Sequence, residues 1–338
     1  MRQNHKQLVH NGHSKYNLPI DTIINDKKIV YGTKYEENYD ALLVNSDILD
    51  FLDDDNSLKD ISLVTTSPPY NLLKPYEQKL DFDDYIAWQK EVISKIIKRM
   101  KPDGSICWQV GNYVFGKEIF PLDIYFYNIF KKMGLKLRNR IIWHFGHGLH
   151  ASNRFSGRYE TILWFSLSDN YAFNLPYEVR VDQKYPGKRA FKGPRKTQVT
   201  SNILGKNPSD LWDSFRAEWD EGIWNIPNVK YQHAEKTIHT SQYPIELVER
   251  LILALTNEGS DLVFDPFMGV GTTQVASCFW NRKTVGVDKE RAYTDIAFER
   301  IVAALNGNLK RRPLGMPIFQ PPGNCKVAQI PPEWKNDE

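Results

Sequence analysis

Apolar positions along this chain fall into two kinds of run that alternate. Short unbroken runs edged by polar or turn residues, at residues 41–44, 61–66, 105–111, 137–145, 161–167, 261–265 and 284–288, predict buried β-strands. Between several of them apolar residues recur at helical spacing, so residues 86–100, 119–133, 244–256 and about 272–280 predict helices. The first helix stops at Pro102-Asp103-Gly104 and gives way directly to a strand, whereas the strands at 137–145 and 161–167 have no helix between them. Strands alternating with helices predict an α/β fold on a doubly wound, mostly parallel sheet.

The pattern lapses in three places. Residues 1–38 are polar and mixed in charge, with short apolar patches only at Ile23-Ile24 and Ile29-Val30-Tyr31, and read as an N-terminal arm. From residue 168 to 235, Pro, Gly, Asn, Lys and aromatic residues dominate without a long periodic helix, which reads as a recognition lobe. Residues 307–338 are Pro-rich and read as a surface tail.

Composition narrows the class. A chain of 338 residues, 41% apolar and 25% charged, can bury a substantial core and is neither disordered nor membrane-like. No apolar run reaches a spanning length and the start lacks the apolar stretch of a signal peptide, so a cytoplasmic protein is expected. Cys107, Cys278 and Cys325 form no C-x-x-C pair, and His144, His147 and His150 lack acidic or cysteine partners, so neither a disulfide framework nor a metal site is expected. The net charge of +3 says little, but its distribution says more. Lys131, Lys132, Lys136, Arg138, Arg140, Arg154 and Arg158 occur with no acidic residue among them. Arg180, Lys184, Lys188, Arg189, Lys192, Arg195 and Lys196 follow with only Asp182 against them, and Tyr185 and Phe191 are interleaved. Both clusters predict a polyanion-binding surface.

The candidate chemistry sits just after three strands, where ligands bind in such sheets. In Asp265-Pro266-Phe267-Met268-Gly269-Val270-Gly271-Thr272-Thr273, the two glycines let a backbone approach a ligand closely and the next helix offers free N–H groups. A nicotinamide dinucleotide site is the rival reading, but Gln274 stands where its fingerprint has a third glycine. Asp288 ends the following strand and could accept ribose hydroxyls or cap a helix. In Ser67-Pro68-Pro69-Tyr70, two prolines remove N–H donors and leave carbonyls free to accept from an amine, while Tyr70 offers a flat face to an extruded base. Cys107 lies within a strand and reads as core rather than nucleophile.

These residues, over roughly 39–302, resemble the S-adenosylmethionine-dependent DNA amino-methyltransferases, specifically the subgroup whose catalytic motif precedes the cofactor motif. The resemblance implies a Rossmann-like, seven-stranded methyltransferase domain divided into a catalytic half at 39–167 and a cofactor half at 236–306, with the lobe at 168–235 as target-recognition region. It implies catalytic roles for Ser67, Pro68, Pro69 and Tyr70. S-adenosylmethionine contacts are implied for Asp47, at the adenine, for His239 and Thr240 at the methionine end, and for Asp265, Pro266, Phe267, Gly269, Gly271, Thr272 and Asp288. Lys184, Lys188, Arg189, Lys192, Arg195, Lys196 and Arg154 are the candidate contacts to double-stranded DNA. In that family a leading Ser is typical of cytosine-N4 enzymes and Asp or Asn of adenine-N6 enzymes, so Ser67 implies cytosine N4, with a restriction endonuclease acting on the same site as partner. Adenine N6, an amine of RNA or protein, and a non-catalytic DNA-binding role on the same scaffold are the alternatives.

Overall fold

Two strands, β1 (Ile20–Ile24) and β2 (Lys27–Gly32), form a hairpin closed by Asn25 and Asp26, both at positive φ, the conformation a two-residue hairpin turn requires. Residues 20–32, read from the sequence as part of an arm, are therefore sheet, since β2 runs parallel to β3 (Ala41–Asn45). After them come α1 (Ile48–Asp54), β4 (Ile61–Thr66), α2 (Phe82–Ile97) and β5 (Met100–Val110). The hairpin β6 (Asn112–Phe115) and β7 (Glu118–Pro121) leads into α3 (Leu122–Lys132), β8 (Lys136–His144) and β9 (Tyr159–Ser166). A 3-10 turn at Tyr177–Val179 and a short β10 (Leu211–Asp213) precede α4 (Ile245–Leu255), β11 (Leu262–Asp265), α5 (Thr272–Phe279), β12 (Lys283–Asp288) and α6 (Arg291–Leu305). This computed structural model describes residues 15–54, 58–71, 80–145, 151–181, 187–202, 204–213, 226–230 and 233–316; His147, His150, Lys184, Cys325 and residues 317–338 lie outside them.

The strands hydrogen-bond in the order β1-β2-β3-β12-β11-β4-β5-β9-β8-β10. Its seven central members, β3 to β8 in that order, are the seven read from the sequence, and only β9 among them runs antiparallel to its neighbours. The hairpin adds two strands at one edge and β10, parallel to β8, adds one at the other. Pro102-Asp103-Gly104 interrupts the pairing of β5 with β4: Ile61 faces Met100 but Leu63 faces Ser105, so the turn is absorbed as an irregularity inside a longer strand.

Successive strand residues point to opposite faces. Ala41 and Leu43 of β3 join one buried cluster with Leu251 of α4, Val275 of α5 and Ile301 of α6. Leu42 and Val44 join the other with Phe51 of α1, Ile93 of α2 and Phe126 of α3. The sheet is thus covered on both sides, which is why its parallel strands read as continuous apolar runs. Cys107 lies in this core, and burial pushes its thiol far up.

Every residue of α4 is buried, including Glu246, Glu249 and Arg250. The segment read as the start of a surface tail covers this helix: Arg311 pairs with Glu249 at 2.6 Å, and Arg312 and Arg250 both pair with Glu246. No helix of the described residues is long and apolar enough to cross a membrane, and none of their His, Cys, Asp and Glu side chains group to hold a metal ion.

Candidate functional site

From β4 the chain passes through α2 to β5 on one side, and from β11 through α5 to β12 on the other. The loops after the adjoining strands β4 and β11 therefore part and leave a crevice at the sheet's carboxyl edge. A cavity of about 230 Å³ occupies it, with Ser67, Pro68, Pro69 and Tyr70 on one side and Pro266, Phe267, Gly269 and Thr272 on the other. Asp47, His239 and Asp288 complete its polar wall.

On the β11 side, Gly269 and Gly271 adopt φ of 51° and 72°. A Cβ on Gly269 would lie 3.2 Å from His239 Nε2, and one on Gly271 would lie 2.7 Å from the Ala297 Cβ, so both glycines are demanded by conformation and by space. Asp288 braces the turn: its carboxylate accepts from the Gly269 N–H at 2.9 Å and from the Glu290 N–H at 2.8 Å. Burial pushes the Asp288 carboxyl up to about 7, with these two amide bonds pulling the other way. Each carboxylate oxygen can accept more than one hydrogen bond, so acceptor capacity toward the cavity remains. Asp47 is both wall and cap, since its Oδ1 accepts from the Leu49 N–H at 2.8 Å at the start of α1. The imidazole of His239 packs edge-on to Tyr293 at 4.6 Å, and its Nδ1 accepts from the Ser241 N–H at 3.2 Å.

On the β4 side, Ser67 Oγ and Tyr70 Oη lie 3.0 Å apart. The Pro69 carbonyl accepts from Tyr85 Oη at 2.8 Å, whereas among the described residues no donor reaches the Pro68 carbonyl. Asn71, at φ 62°, clamps Leu80 by accepting from its N–H and donating to its carbonyl, both at 2.9 Å. Gly111, at the end of β5, leaves room for the Tyr70 ring: a Cβ there would stand 3.2 Å from it. Trp88 of α2 and Phe267, with ring centroids 5.6 Å apart, form an apolar wall.

The two halves are joined below the cavity by Asp265. Its buried carboxylate accepts from Thr66 Oγ1 at 2.6 Å, Thr273 Oγ1 at 2.7 Å, Tyr243 Oη at 3.0 Å and the Phe267 N–H at 3.1 Å. Burial pushes this carboxyl up and the four donors hold it down; burial and the Asp265 charge push the Tyr243 phenol up, so Tyr243 serves as a neutral donor.

The geometry thus gathers Asp47, Ser67, Pro68, Pro69, Tyr70, His239, Pro266, Phe267, Gly269, Thr272 and Asp288 around one cavity. Asp265, Gly271 and Thr240 are not part of its wall: the first two shape the turn from behind, and Thr240 is exposed while Ser241 and Gln242 line the cavity. Sequence reading missed Trp88, Tyr243 and Tyr293. Trp88 lay within a predicted helix without marking, and Tyr243 lay in a noted segment whose hydrogen bonds cross to Asp265, which spacing along the chain does not show.

The first basic cluster is not one surface. Lys136 and Arg138 pair with Asp169, and Arg140 pairs with Asp123 at 2.5 Å, acids that a count along the local sequence overlooks. These residues also lie in the half of β8 away from the carboxyl edge, while Arg154 and Arg158 belong to the connection that leaves that edge. In the second cluster Lys188, Arg189, Lys192, Arg195 and Lys196 are exposed on a turn closed by Ala190, Thr197 and Thr200 amide bonds, with Arg189 also donating to the Thr197 carbonyl at 2.7 Å.

Comparison with known proteins agrees with this arrangement. The N6/N4 family described as DNA methylase matches residues 61–299. The chain is 44% identical to the Type II methyltransferase M.BglII of Bacillus subtilis over 261 residues, 76% of this chain and 68% of that protein. Among solved structures, it resembles PvuII DNA methyltransferase (cytosine-N4-specific), at 21% identity and a TM-score of 0.56, over 82% of this chain and 94% of the other. A second is the Thermus thermophilus DNA modification methylase TTHA0409 complexed with S-adenosyl-L-methionine, at 24% identity and a TM-score of 0.50, over 79% and 96%.

Proposed function

Because the chain belongs to the N6/N4 DNA methylase family, we propose that it transfers a methyl group from S-adenosylmethionine to the exocyclic N4 of cytosine in double-stranded DNA, as the modification enzyme of a restriction system. It is a site-specific DNA methyltransferase that uses S-adenosylmethionine. The finer assignment to cytosine N4 rests on Ser67 as the leading residue of the proline motif.

When bound, the cofactor supplies an electrophilic methyl group. The glycine turn leaves the room a Cβ would fill, and the acceptors Asp47 and Asp288 with the apolar Phe267 suit a nucleoside with a charged tail. In this reading Asp288 takes the ribose hydroxyls, Asp47 the adenine, and His239 with its neighbours the methionine end.

The observation that carries the chemistry is that Ser67 and Pro68 line the wall facing the glycine turn, with no donor among the described residues on the Pro68 carbonyl. The lone pair of an exocyclic amine is delocalised into its ring, which makes it a poor nucleophile. Two acceptors on its N–H groups favour a localised lone pair directed at the opposite wall, where the methyl would lie. Tyr70, supported from behind by Gly111, stacks the base, and no covalent enzyme intermediate is needed.

Ser67→Ala tests this. Methyl transfer to plasmid DNA is expected to fall about a hundredfold while the cofactor dissociation constant changes less than about threefold. An unchanged transfer rate would remove Ser67 from the mechanism.

A further inference from the structure

The connection between β8 and β9 leaves the sheet at its carboxyl edge, because His144 pairs with Tyr159 there and Thr161 pairs with Val110, one residue before the Gly111 that supports Tyr70. Within it, Phe155 is 100% exposed. It precedes Glu160 by five residues, a chain reach of at most about 18 Å, and a Cβ on Gly111 would stand between Tyr70 and Glu160, 3.2 Å from one and 3.5 Å from the other. A fully exposed Phe forgoes the burial its ring could obtain, and a loop tip beside a nucleic-acid pocket is a place where such a ring gains it on binding.

Its surroundings indicate the partner. Residues 145–158 contain no acidic residue and hold Arg154 and Arg158 on either side of Phe155. Lys230, brought back from the lobe, sits near enough to Arg158 for the like charge to lower its ammonium, after a larger lowering by burial. The tip is also shaped, since the Ala151 N–H donates to Ser156 Oγ at 3.1 Å and the Phe145 N–H to the Arg158 carbonyl at 2.8 Å, closing the turn around Phe155.

We propose that Phe155 is the wedge of this enzyme, entering the duplex at the place vacated by the extruded target base, with Arg154, Arg158 and Lys230 on the flanking phosphates. This rests on the base-extrusion reading above. Apolar side chains inserted between base steps unstack them and hold the opened form. Phe155 would therefore act on the opening of the base pair and not on methyl transfer itself.

The test compares two duplexes carrying the enzyme's own site, mapped by sequencing DNA that the wild-type protein has methylated. In one the target base is paired; in the other it faces an abasic position and is already free to leave the stack. On the paired duplex Phe155→Ala is expected to lower kcat/KM at least about tenfold, and on the abasic duplex to come within about twofold of wild type. Phe155→Leu, apolar and still able to wedge, should recover most of the loss. Equal losses on both duplexes would make Phe155 a plain contact or scaffold residue, and no loss on the paired duplex would remove it from the reaction; either overturns the proposal. Failure of the wild-type protein to methylate any DNA would instead overturn the reading on which it rests.

Discussion

Thr66 donates a 2.6 Å hydrogen bond to Asp265, and this side-chain contact links the carboxyl ends of two paired strands, one leading into the proline motif and the other into the glycine turn. Both residues are buried, and neither touches the cavity whose two walls they hold together. Removing the carboxylate takes the shared acceptor from three side-chain hydroxyls and a backbone N–H at once, leaving Tyr243 and Thr273 only their mutual contact at 2.8 Å. Asp265→Ala is expected to lose about 3 kcal/mol or more of unfolding free energy, and Thr66→Val about 1–3 kcal/mol. Denaturant unfolding with calorimetric cofactor titration separates the effects. Weakened cofactor binding by Asp265→Ala without loss of stability would mean that Asp265 contacts the cofactor directly.

The two glycines of the turn should fail differently. Gly271→Ala places a methyl 2.7 Å from Ala297 on α6 in a left-handed conformation, so its main effect should be on stability, about 2–4 kcal/mol. Gly269→Ala carries the same left-handed strain but meets only the His239 imidazole at 3.2 Å, a side chain that can yield, so stability should fall less and cofactor affinity more. Thermal melts with and without S-adenosylmethionine read both: a large fall in the apo Tm for Gly271→Ala, and a smaller one with reduced ligand-induced stabilisation for Gly269→Ala.

Asp288 gives the site a pH dependence near neutrality. Its carboxyl is raised to about 7 in the fold, so folding holds its proton more tightly than the unfolded chain does. Its contribution to the stability of the free protein is full below the unfolded value and is lost as pH rises through 7. Hydrogen bonding to ribose hydroxyls has the opposite slope, because it favours the ionised form. Cofactor binding is expected to be about tenfold tighter at pH 8 than at pH 6, and the profile should flatten in Asp288→Asn. Isothermal titration over that range checks the sign; a profile that tightens toward acid pH would refute the assignment.

The cover over α4 rests on charge. Glu246→Ala would leave Arg250 and Arg312 buried without their carboxylate, and unfolding free energy should fall by about 3–5 kcal/mol. Limited proteolysis should then cut within residues 309–316 faster than in the wild-type protein.

Much of this was legible in the sequence because the central strands are buried on both faces and bounded by turn residues. The site motifs stood out for the same reason: Ser67, Gly269 and Asp288 each follow such a strand. The first hairpin was readable in principle, since Asn25-Asp26 lies between apolar patches, but two short strands among charged residues look like an arm until β3 is there to pair with. Helix α6 escaped because it buries Thr294, Asp295 and Arg300 along with its apolar residues, so its inward face shows no clear stripe. Part of the first basic cluster misled for the opposite reason. Lys136, Arg138 and Arg140 look unopposed only until the fold brings Asp169 and Asp123 to them.

The most direct test is the identity of the methylated nucleoside. Plasmid DNA incubated with the purified protein and S-adenosylmethionine carrying a labelled methyl group, then digested to nucleosides, is read by mass spectrometry. Label is expected in N4-methylcytosine, falling about a hundredfold with Ser67→Ala. Label in N6-methyladenine would keep the fold, cofactor and site but contradict the assignment of Ser67 to cytosine, and label in no base would contradict the proposed reaction itself.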